Sequence, residues 1–140
     1  MLLGEFRHSL DPKGRVFLPA RWREELKDGV VVTRGLDGCL LLMTRQRFDK
    51  KAGELESLTE EHKANRDYSR VFFSAASEEQ VDKQGRMNIP SGLREAAGLG
   101  KEVVLVGVNS RAEIWDKTRW EAYHGDTAGQ FEDLAERIEL

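Results

Sequence analysis

The chain has only one cysteine and three prolines in 140 residues. Cys39, inside "CLLLM", has no partner for an intrachain disulfide and reads as a small buried hydrophobe in a reducing compartment, so the cytoplasm is expected. The three histidines, His8, His62 and His124, are scattered, with no cysteine nearby and no ligand spacing; no metal site is expected. No apolar run approaches the ~20 residues that cross a bilayer. The start, "MLLGEFRHSL", lacks the basic leader and long apolar core of a signal peptide. Also missing are a phosphate-cradling glycine loop, a cofactor fingerprint and a nucleophile with a base at recognisable spacing. Those gaps weigh against an enzyme and leave no cofactor expected.

What the chain does have is a repeat. "DPKGR" at Asp11 to Arg15 returns as "DKQGR" at Asp82 to Arg86, and the text that follows, "RVFLPARWRE" and "RMNIPSGLRE", matches too. At an offset of 71, the 14 positions from Asp11 to Glu24 hold six identities, Asp11/Asp82, Gly14/Gly85, Arg15/Arg86, Pro19/Pro90, Arg23/Arg94 and Glu24/Glu95. Chance supplies about one at a match probability of roughly 1 in 15. At an offset of 72 the register continues with Val31/Val103, Val32/Val104, Gly35/Gly107 and Arg47/Arg119, and Asp37/Asn109 keeps its chemical type. The chain is therefore two copies of one unit. Units of about 50 residues bury too little surface to stand alone comfortably, so the copies are expected to share a core.

Charge is low overall and uneven along the chain. The net value is −3, yet residues 1–70 carry 14 Lys/Arg against 12 Asp/Glu and residues 71–140 carry 8 against 13. Arg7, Lys13, Arg15, Arg21 and Arg23 gather around the first pentapeptide, and Lys83, Arg86 and Arg94 around the second. Local excess, rather than the total, steers an anionic partner.

Aspartate first, Pro12 second and Gly14 fourth suit a type I turn between two strands. After it, Val16 and Leu18 alternate with Arg15 and Phe17, and Met87 and Ile89 with Arg86 and Asn88, so each arginine faces outward just beyond a turn. Pro19 and Pro90 open short helices. A strand pair and a further helix complete each unit, and "ELESLTEEHKANRDYSR" joins the units as a helix because it has neither proline nor glycine. Phe131, Leu134, Ala135 and Ile138 mark an apolar stripe near the end.

These stretches, with "AGLGKEVVLVG" and "EIWD", closely resemble the MraZ family of bacterial transcriptional regulators, across essentially the whole chain. The resemblance implies two SpoVT-AbrB-like domains and a fold that is mainly β with α additions, a pseudo-duplicated swapped-hairpin, double-psi-like β-barrel with helical extensions. The expected boundaries are domain 1 at 1–53, a helical connector at 54–74, domain 2 at 75–125 and a C-terminal helix at 126–140. It further implies a homo-oligomeric ring of about eight or more subunits, nucleoid-associated, that binds tandem G-rich direct repeats in double-stranded DNA upstream of division and cell-wall genes. The family motif maps onto Asp11 and Arg15, and onto Asp82 and Arg86. Gln84 stands where the first copy has Lys13, although Lys83 adds a charge one residue earlier, and this leaves room for unequal contacts.

An arginine fork can donate two hydrogen bonds to guanine O6 and N7. Arg15 and Arg86 are therefore the expected base readers, with Lys13, Arg7, Arg21 and Arg23 on phosphates, Lys83 and Arg94 as further DNA-binding residues, and Asp11, Gly14, Asp82 and Gly85 shaping the loops. The plain competitor, an Asp–Arg pair bridging a surface turn, is compatible with that role, since the aspartate can orient the arginine. Two other classes compete: a small barrel enzyme clamping an anionic substrate, which lacks the Gly-Ser dipeptide of self-processing decarboxylases, and an assembly or antitoxin-like module that binds protein through its helices.

Overall fold

The computed structural model describes residues 1–139. The first copy contributes β1 (Glu5–Ser9), β2 (Arg15–Phe17), α1 (Ala20–Leu26), β3 (Val30–Arg34), β4 (Leu40–Thr44) and α2 (Arg45–Glu56), followed by α3 (Lys63–Ala75). The second contributes β5 (Ser77–Glu79), β6 (Arg86–Asn88), α4 (Ser91–Ala96), β7 (Glu102–Gly107), β8 (Ala112–Asp116), α5 (Lys117–Ala128) and α6 (Phe131–Arg137). Leu140, the end of the expected C-terminal helix, lies outside the described residues. The expected β core with helical additions is present, and the additions hold more residues than the core, 41% against 27%.

The halves exchange strands. The six-stranded sheet runs β1-β7-β8-β4-β3-β5, so β1 completes the second copy's strand pair and β5 completes the first's. The remaining strands, β2 and β6, form a separate antiparallel ribbon, with Arg15 opposite Asn88, Val16 opposite Met87 and Phe17 opposite Arg86. Val16 and Met87 are repeat equivalents at offset 71, and Leu41 and Glu113, equivalents at offset 72, face each other where β4 meets β8. A pseudo-two-fold axis therefore passes through both pairs. The expected strand–turn–strand hairpins are replaced by pairing between copies, and the strands hydrogen-bond as two sheets rather than as one closed barrel.

One core fills the space between ribbon and sheet. Val16, Leu18, Met87 and Ile89 of the ribbon segments, Trp22 and Leu26 of α1 and Leu93 of α4 pack on the inner face of both copies' strands. Trp22, fully buried, donates its indole N–H to the Leu3 carbonyl at 3.0 Å and meets Phe6 edge-on. The outer face is covered by α2 and α3 in the first copy, where Phe48 stacks on Phe72, and by Trp120 of α5 against Trp115 in the second. Buried Thr33 is satisfied by donating to the Phe72 carbonyl.

Two expectations change in detail. The register offset of β3 and β7 is 73, not 72: Val30 pairs with Thr44 as Val103 pairs with Asp116, and Val30 and Val103 both join the inner core. A valine-rich run matches itself equally well one residue out of step, while the pleat makes that step a change of face. The charged connector is helical but breaks between Glu56 and Lys63. Hydroxyl groups compete for the chain there, with Ser57 donating to the Glu54 carbonyl and Thr59 accepting from the Glu61 N–H.

A candidate nucleic-acid interface

Each Asp-x-x-Gly-Arg loop is organised by its aspartate. Asp11 accepts the N–H groups of Lys13 and Arg15 on Oδ1, at 3.0 and 2.8 Å, and Arg15 Nε on Oδ2 at 2.6 Å. Its backbone closes the loop, its carbonyl accepting the Gly14 N–H and its N–H donating to the Arg15 carbonyl, both at 2.9 Å. Asp82 repeats the pattern with Gln84 N–H, Arg86 N–H and Arg86 Nε, each at 2.9 Å. Gly14 and Gly85 sit at φ 82° and 87°, where a side chain is strained. Hydrogen bonds, led by the arginine backbone N–H, hold both aspartates below the ordinary carboxylate value, with partial burial opposing.

The tether leaves the useful edge of each arginine free. Among the described residues, the terminal nitrogens of Arg15 and Arg86 make no hydrogen bond, because the Asp bond takes Nε. A guanidinium held on one side and open on the other is preorganised for a planar two-acceptor partner. Both arginines lie on the outer face of the ribbon, roughly 7 Å apart along the strand direction. Beside them stand Asn88, opposite Arg15, and exposed Phe17, whose ring lies 6.0 Å from the Arg86 guanidinium carbon. Sequence alternation marks Phe17 and Asn88 as outward; only the register shows that each flanks the other copy's arginine.

The remaining basic residues divide. Lys13 and Lys83 are exposed on the two loops, which the antiparallel pairing sets at opposite ends of the ribbon. Arg21 is exposed on α1, over the Phe6 ring. Arg23 and Arg94 are partly buried, each with Nε bonded to a carbonyl of its own copy, Leu18 or Ile89. Arg7 is set apart: it is the register partner of Val104 on the outer face and pairs with Glu5 and Glu121 of α5. Strand alternation is the cause, since Phe6 points to the core. Among the described residues, no group of His, Cys, Asp or Glu is arranged to hold a metal, and no helix is long and apolar enough to cross a membrane.

Duplicated units that exchange their first strands, and pair their arginine-bearing strands about a pseudo-two-fold axis, define a two-domain AbrB-like protein in one chain. The chain belongs to the MraZ family. The family model described as "MraZ protein, putative antitoxin-like" matches twice, over residues 1–71 and 72–139. A protein of Pelotomaculum thermopropionicum is 49% identical over 99% of this chain and 95% of its own length; one of Ligilactobacillus salivarius is 46% identical over 99% and 96%. A third, of Acetivibrio thermocellus, is 44% identical over 100% and 98%. All three are named transcriptional regulator MraZ.

Proposed function

We propose that this chain is a sequence-specific DNA-binding transcription regulator, not an enzyme, whose β2–β6 ribbon lies in the major groove with Arg15 and Arg86 each reading a guanine. The observation that carries the reading is the ribbon face itself, two Asp-tethered arginines with free forks on one exposed two-stranded element, a shape the major groove accepts. Asn88 and Phe17 are suited to an adenine edge and a thymine methyl beside those guanines. Lys13 and Lys83 supply phosphate contacts at the ribbon ends, with Arg21 further out. Family membership supports short G-rich direct repeats ahead of division and cell-wall genes as the target, and a ring of about eight or more subunits at the nucleoid as the working form.

The test is binding to the DNA upstream of its own gene by wild type, Arg15→Ala and Arg86→Ala, with circular dichroism to check folding. Each substitution is expected to cost about 1–3 kcal/mol, roughly a 5- to 150-fold loss of affinity. Folded variants that bind as wild type does would remove the assignment.

A further inference from the structure

Arg23 of α1 and Arg94 of α4 are repeat equivalents, and each is used by the opposite copy. Arg94 donates through Nε to the Ile89 carbonyl at 2.9 Å, and the Ile89 N–H donates to the Gly14 carbonyl at 2.9 Å. The Arg94 guanidinium then lies flat against Gly14, where an added Cβ would stand 2.7 Å from its central carbon. Arg23 makes the mirror circuit: Nε to the Leu18 carbonyl at 3.0 Å, Leu18 N–H to the Gly85 carbonyl at 2.9 Å, and guanidinium against Gly85. Each circuit closes across the two copies. Glycine at these positions thus serves twice, adopting the left-handed backbone and leaving a flat site for a planar cation.

We propose that Arg23 and Arg94 are positioning residues acting between copies: Arg94 fixes the loop that aims Arg15, and Arg23 fixes the loop that aims Arg86. This rests on the reading of Arg15 and Arg86 as DNA contacts. Each loop holds its own aspartate and arginine together, but its tilt on the ribbon is set from outside, by an arginine of the opposite copy. A lysine keeps the charge and cannot make both the in-plane bond and the flat contact. A phosphate contact, the alternative role for these two residues, would tolerate lysine, and its loss would lower the salt slope by about one.

The full-length chain is titrated with duplex DNA carrying the tandem boxes over a series of salt concentrations. The proteins are wild type, Arg94→Lys, Arg15→Ala, Arg86→Ala and the doubles Arg94→Lys/Arg15→Ala and Arg94→Lys/Arg86→Ala, with Arg23→Lys as the mirror variant should Arg94→Lys not fold. Expected is a loss of about tenfold for Arg94→Lys with unchanged salt slope and unchanged circular dichroism. That loss should vanish in the Arg15→Ala background and persist in full in the Arg86→Ala background. Without DNA, the Arg15 Nε–H resonance should shift or broaden in Arg94→Lys, and the Arg86 one should not. Wild-type affinity in folded Arg94→Lys, equal loss in both backgrounds, a slope lower by about one, or an unmoved Arg15 resonance overturns the proposal. Wild-type binding by Arg15→Ala overturns the underlying DNA reading instead, and the resonance measurement still decides the brace.

Discussion

At the scale of single residues, the aspartates control the loops and their ionisation state is a handle on them. Because the folded values of Asp11 and Asp82 are depressed, their stabilising contribution is present above the ordinary 3.8 and disappears as pH falls through the lowered folded values. Loop geometry should therefore hold from neutral pH down to the ordinary 3.8 and loosen only in stronger acid. Arginine Nε–H resonances followed against pH check this, and a transition near neutrality would contradict it. Cys39 gives a second residue-scale prediction. Burial, with Glu113 nearby, pushes its thiol up to about 12, so at neutral pH it should ignore a thiol reagent such as Ellman's until the protein unfolds. Rapid labelling of the native chain would refute it. Much here was legible beforehand: Asp-x-x-Gly-Arg spacing names the turn and the outward arginine. The contacts of Arg23 and Arg94 were not, because the glycines they lie against belong to the other copy, and charge alone suggested DNA.

Among elements, local patterning fixed identity well and partnership poorly. The short helices after Pro19 and Pro90, the strand pairs and the helices that follow them stand where periodicity and turn residues put them, and Asp37 and Asn109 share the positive φ their common type allows. Partnership depends on contacts far apart in sequence, so nothing in "RVFLP" alone says that β2 pairs with β6 rather than with β1. Strand exchange carries its own prediction. A fragment of residues 1–76 loses the partners of β1 and β2, but the pseudo-two-fold axis lets a second copy of the fragment replace them. It should be largely unfolded when dilute and form a folded dimer when concentrated, as sedimentation and circular dichroism would report. A folded monomer independent of concentration would show that the halves do not need each other.

On the scale of the molecule, the proposed DNA contact rests on a small basic face of a chain of net charge −3, so a single contact would be weak and many would be needed. Affinity should fall steeply with salt, and four tandem boxes should bind far more tightly than one when copies are linked; gel shifts with equal affinity for one and four would defeat this. The exposed apolar side chains Leu36 and Val71 on the first copy and Phe131 and Ile138 at α6 belong to this scale too. The stripe from Phe131 to Ile138 was readable as helical periodicity, whereas its exposure was not, since a helix pattern says which residues share a face and nothing about what lies against it.

The ribbon also has a direction. Its geometry is two-fold, but its lettering is not: Phe17 and Asn88 occupy equivalent positions, as do Lys13 and Gln84. Two identical chains placed about such an axis would read a palindrome and could not tell one end of a site from the other. Two copies within one chain can differ, so on the proposed reading one chain points along the duplex like an arrow. Boxes in the same orientation then suit neighbouring chains that all face one way, and turning one of two boxes around should weaken binding although every base is still there.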